Sequence, residues 1–148
     1  MSRIAKFAAS ILTGVLLAYV LLWCWAYIAA NNPLPRLLIR EGLSGDGVWL
    51  TLTVADFLMN ILMCVPAAWA LNSMGRALLP INTLLAVVAF TVTSSFLVGL
   101  PLQAIGLRVG IPYLLLLVSL PVAVWLLFWL RRNAPNNSFK PTPLRGAA

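Results

Sequence analysis

The sequence predicts an all-α integral membrane protein, a four-helix bundle with both termini cytoplasmic. The 148 residues are 62% hydrophobic and only 9% charged, whereas soluble domains carry about a quarter charged residues. Four apolar runs, at about 7–30, 48–71, 78–100 and 110–130, each exceed the roughly 20 residues a helix needs to cross about 30 Å of hydrocarbon. All ten Lys and Arg residues lie between or beyond those runs. Transmembrane strands would be shorter and would alternate polar with apolar residues, which these runs do not. The expected organisation is a bundle over 1–132 and a tail over 133–148.

The first run follows Arg3 and Lys6, as a secretory signal would. Its length exceeds the usual signal core of about 7–15 residues, and bulky Ile28 stands in YIAANN where a cleavage site needs a small residue. A retained span is expected. Pro33 and Pro35 stop the first helix, and SGDG makes a turn before the second. Between them RLLIREGL reads either as a plain surface connection or as a short amphipathic segment flat on the leaflet. The turn NSMGR leads to the third run, and Arg131-Arg132 ends the fourth.

Orientation follows from the basic residues of the short connections. With both termini inside, Arg3, Lys6, Arg76, Arg131, Arg132, Lys140 and Arg145 are cytoplasmic, seven in all, against three outside, Arg36, Arg40 and Arg108. Aromatic residues agree: Trp23, Trp25, Tyr27, Trp49 and Tyr113 gather near the outer ends and Trp69, Trp125 and Trp129 near the inner ends, as interfacial belts do. Cys24 and Cys64 fall inside apolar runs at different depths, so both are expected to stay reduced.

The tail NAPNNSFKPTPLRGAA is rich in Pro, Asn and small residues, has no apolar period and is expected to be disordered. It resembles the SFKPTPLRGAA endings of many otherwise unrelated bacterial reading frames that run into a repeated genomic element. That resemblance implies a bacterial source, hence a multi-pass inner (plasma) membrane location, and implies no binding motif. Asn136-Asn137-Ser138 fits the glycosylation pattern, which a cytoplasmic bacterial tail would not use.

Catalytic signals are lacking. There is no His, which removes the commonest general base and metal ligand, and no phosphate-cradling G-x-x-x-x-G-K loop. The three acids, Glu41, Asp46 and Asp56, are dispersed. No enzyme, no metal and no cofactor is expected, and without a basic face or groove no nucleic acid either.

Asp56 is the exception within the spans. An aspartate at a helix centre costs about 2.5–3.5 kcal/mol on insertion scales, which its apolar neighbours offset, but it should not face lipid. Thr53 at i−3 and Asn60 at i+4 share its helix face, with Cys64 one turn on. Counting the same depth along the other spans reaches Thr91, Thr93, Ser94 and Ser95 on the third and Ser119 on the fourth. The candidate intramembrane polar site is therefore Asp56, Asn60, Thr53, Thr91, Ser94, Ser95 and Ser119, with hydroxyls grouped around a carboxyl that has no Lys or Arg partner. Sheltered from water, that carboxyl is expected to be neutral and to donate a hydrogen bond.

Two readings follow. Polar contacts between membrane helices average below about 1 kcal/mol yet fix which faces meet. An intramembrane acid is by default a proton or cation site. With one acid, no second relay residue and no evident pore, the sequence ranks the structural reading first: a non-enzymatic accessory or assembly partner acting through helix–helix contacts. The alternative is a small proton- or cation-coupled, channel-like transporter using Asp56. Ser10-Gly14-Ala18 and Thr91-Ser95-Gly99 form ridges of small residues suited to close packing within the chain, in a homo-oligomer or in a larger membrane complex. Pro66 and Pro121 free the carbonyls of Leu62 and Leu117 and kink or break the helix ladder there. The lipid bilayer is the expected partner.

Overall fold

The computed structural model describes residues 2–98 and 107–133, and among these every regular element is helical. Four helices are long and apolar enough to cross a membrane: α1 (Arg3–Asn31), α3 (Gly45–Ser73), α4 (Leu79–Val98) and α5 (Leu107–Asn133). A short α2 (Leu34–Arg40) separates α1 from α3, and a 3₁₀ turn over Arg76–Leu78 leads into α4. The chain is therefore a small polytopic membrane protein. Gly99, Pro101 and the tail from residue 134 lie outside the described residues.

Three helices outrun the apolar stretches that announced them. α1 and α3 each have 29 residues, about 43 Å of helix at about 1.5 Å per residue, against about 30 Å of hydrocarbon. The apolar run marks the part that must be dry, while backbone hydrogen bonding continues through the headgroup zone. Ser2 caps the start of α1, its hydroxyl oxygen accepting from the Ala5 N–H at 3.2 Å. α5 runs on through Arg131 and Arg132 to Asn133, which the sequence assigned to the tail. Pro35 does not break the connection but sits in the first turn of α2, where its missing N–H has no helical partner to lose. At Gly75, φ of +113° lets the chain reverse between α3 and α4, a backbone region that side-chain-bearing residues rarely adopt.

Packing joins helices distant in sequence. α1 lies chiefly on α4 and α3 chiefly on α5, with lesser contact between the two pairs. Residue numbers rise together along each seam. On the first, Gly14 meets Ala86, and Trp25 lies beside Ser94 and Val98. On the second, Cys64 meets Ser119, and the Asn72 amide donates to the Val124 carbonyl at 3.3 Å. Both pairs are thus parallel. A Cβ on Gly14 would overlap the Ala86 carbonyl oxygen, so the ridge Ser10-Gly14-Ala18, buried throughout, brings two backbones together within the chain. The ridge on α4 does otherwise: Thr91 is half-buried and Ser95 is exposed.

Candidate functional site

α3 presents Thr53, Asp56 and Asn60 on one face, as the helical repeat requires. Thr53 and Asn60 are buried, whereas Asp56 is half-buried and lines a cavity of about 300 Å³ bounded by α1, α3, α4 and α5. Ser94 of α4 shares its wall, as do Trp25, Phe57, Pro112 and Tyr113. A second cavity of about 300 Å³ touches the other side of Asp56 and Trp25 and reaches Asn31, Asn32 and Leu34 beside α2. An apolar side pocket of about 210 Å³ runs from Trp25 and Ser94 between α1 and α4. Asp56 therefore stands between two cavities, one walled in part by aromatic rings and one reaching the Asn31 and Asn32 amides beside α2.

The hydrogen bonds fall differently from the sequence expectation. Each hydroxyl of the supposed polar layer turns back on its own helix: Thr53 donates to the Trp49 carbonyl at 2.8 Å, Thr91 to Val87 at 2.8 Å, Ser94 to Thr91 at 3.1 Å and Ser95 to Thr91 at 2.8 Å. Hydroxyls on apolar helices do this because the i−4 carbonyl is always within reach. None of them donates to the Asp56 carboxyl. The cross-helix bond belongs instead to Asn60, whose Oδ1 accepts from the Trp25 indole N–H at 2.8 Å.

Thr53, Asp56, Asn60 and Ser94 thus converge, whereas half-buried Thr91 is not among the lining residues, Ser95 is exposed, and Ser119 lies deeper. Ser119 is fully buried, donates to the Leu116 carbonyl at 2.6 Å and approaches the Cys64 sulfur at 3.5 Å. The depth count misplaced it because α5 begins lower than α3. Carried back from Cys64 and Ser119, the register sets the start of α5 near Leu52, about 10 Å below the start of α3 at about 1.5 Å per residue. Both cysteines are free thiols, as expected.

Trp25 and Tyr113, expected near the outer helix ends, also line the cavity. One sequence signal pointed to Trp25: an indole N–H drawn away from water needs an acceptor, and Asn60 offers an amide oxygen inside the facing span. Nothing comparable marked Phe57 or Pro112, whose inward placement depends on how α3 and α5 are rotated. Among the described residues no group of three or more His, Cys, Asp or Glu side chains is positioned to hold a metal ion.

Below the cavity the bundle closes. Leu17, Ala18, Leu21, Cys64, Ala68, Leu71, Ala86, Phe90, Leu120 and Ala123 form one continuous core. Pro66 and Pro121 stand just beyond Cys64 and Ser119 and, in that register, at nearly the same level on the paired helices α3 and α5. Each proline removes one ladder hydrogen bond, so α3 and α5 each lack one backbone bond at this level, directly beneath the cavity, while both helices continue through it.

No known protein family matches the chain, and neither a curated protein nor a solved structure shows significant similarity to it.

Proposed function

We propose that this membrane protein is a non-enzymatic, transporter-like bundle whose working group is the Asp56 carboxyl, which takes up a proton or a small cation inside the membrane. One observation carries the reading. Asp56 makes no hydrogen bond or ion pair with any described residue, yet lines a cavity of about 300 Å³, at the lower limit of about 300–1,000 Å³ for small-molecule pockets. A carboxyl serving as helix glue would be spent on a neighbouring helix, and here that task falls to Asn60. An unspent intramembrane acid is a functional group by default.

The walls favour a cation bearing apolar substituents. Trp25, Phe57 and Tyr113 line the cavity, and aromatic rings attract a desolvated positive charge over their faces; the side pocket between α1 and α4 takes apolar bulk. Asn31 and Asn32 mark the way in from the α2 end. Release on the opposite side requires the closed core to part, and the paired prolines at residues 66 and 121 are the natural place for bending. Three cytoplasmic-type basic segments at the other end support both termini lying inside a bacterial inner membrane.

The test is binding of a quaternary ammonium probe, benzyltrimethylammonium, to the full chain in mild detergent, read by titration calorimetry. Binding is expected for the wild type and for Asp56→Glu, and is expected to be lost in Asp56→Asn at unchanged helicity and elution volume. Equal affinity in the Asp56→Asn protein would overturn the proposal.

A second reading, an accessory or assembly partner, draws on the ridge of α4 that Ser95 turns outward. It is distinguished by mass: a chain that elutes only with other proteins, and binds no cation probe, fits the assembly role.

A further inference from the structure

A second cleft, of about 370 Å³, opens at the end of the bundle away from Asp56, between the first turns of α4 and the last turns of α5. Pro80 and Thr83 form one wall, and Pro121, Trp125 and Phe128 the other. On α5 these three follow one another at spacings of four and three residues, so they make a single stripe. Arg131 and Arg132, three and four residues beyond Phe128, carry that stripe into the last, exposed turn. Arg76 closes the mouth, its guanidinium 5.7 Å from the centre of the Phe128 ring, within the range of a cation–π contact.

Among the described residues no acidic side chain is paired with those cations. The chain's three acids are Glu41, Asp46 and Asp56, all of them in the half of the molecule that holds α2 and the Asp56 cavity. The charge at the mouth of the cleft therefore calls for an anion from outside, and the apolar stripe beneath it calls for hydrocarbon. Trp125, largely exposed between the two, sits where indole rings settle at a membrane surface.

We propose that this cleft is a binding site for one anionic phospholipid, its phosphate held by Arg76 with Arg131 and Arg132 and one acyl chain lying along Pro121, Trp125 and Phe128 between α4 and α5. Basic pockets between membrane helices recognise anionic headgroups by the same combination of charge and apolar contact. The site is separate from the Asp56 cavity and does not depend on what that cavity binds.

The experiment places the full chain in detergent micelles doped with phosphatidylglycerol or phosphatidylcholine and counts retained lipid by native mass spectrometry. One phosphatidylglycerol is expected to be retained in preference to phosphatidylcholine. Arg76→Gln is expected to lower that preference about fivefold, the effect of one basic residue at an anionic surface. Arg36→Gln on α2 removes the same charge at the other end and is expected to leave it unchanged. Inorganic phosphate, which lacks an acyl chain, is expected not to displace the lipid. Equal retention of the two lipids, an equal effect of Arg36→Gln, or stripping by phosphate alone would each overturn the assignment. Arg76→Lys keeps the charge and weakens the contact with Phe128, and so is expected to fall between wild type and Arg76→Gln.

Discussion

The half of the bundle around Gly14 and Leu120 and the half around Asp56 are made from the same four helices and are filled in opposite ways. In the first, small residues on α1 and α3 let backbones approach, and side chains such as Ala68, Leu71 and Ala86 are wholly enclosed. In the second, only Thr53 and Asn60 of α3 are buried, and three cavities meet at Trp25. The contrast teaches where stability and function are divided. Membrane helices associate through close packing, since lipid tails are as apolar as leucine, so the tightly packed half holds the pairs together. The looser half is then free to carry a carboxyl with no hydrogen-bond or ion-pair partner among the described residues.

The sharpest way to break this comparison uses two leucines one turn apart on α5. Leu120 is 2% exposed in the closed core, whereas Leu116 borders the cavity. Leu120→Ala is expected to destabilise the bundle by about 2 kcal/mol or more, the usual effect of a buried leucine truncation, and Leu116→Ala by clearly less, because its site is already partly empty. Unfolding in a graded mixture of mild and denaturing detergent measures both. Equal losses would mean that the two halves are not packed differently.

Next in size is the α1–α4 seam. Gly14→Val drives a branched side chain at the Ala86 carbonyl and is expected to cost about 1–3 kcal/mol, as overpacking does. Ser94→Val, on the same seam but at the cavity wall, is expected to change stability by less than about 0.5 kcal/mol. The same unfolding assay decides, and a Ser94→Val protein as damaged as Gly14→Val would contradict the open half.

The smallest effect refines the looser half. A double-mutant cycle of Trp25→Phe and Asn60→Leu isolates the indole–amide bond, with an expected coupling of about 0.6 kcal/mol and at most about 1.7 kcal/mol, the range found for polar contacts between membrane helices. A coupling of zero would leave the α1–α3 contact to packing alone. Asn82 of α4 stands in contrast: its amide is fully buried with neither polar atom paired among the described residues, an arrangement that costs free energy rather than supplying it.

What the residues determined by themselves is the set of crossings. Four runs long enough to span hydrocarbon, separated by charge, Gly and Pro, admit little else, because an unpaired backbone cannot remain in lipid. The face shared by Thr53, Asp56 and Asn60 was equally legible, since a helix fixes which residues stand one above another. Pairing and depth were decided only in three dimensions. These helices are apolar on every side, so no amphipathic stripe says which face meets which neighbour, and nothing in the order of the segments required α1 to lie on α4 and α3 on α5. That choice of parallel partners, together with the low start of α5, brings Trp25, Tyr113 and Ser94 to Asp56, buries Ser119 beside Cys64 and leaves Ser95 facing out.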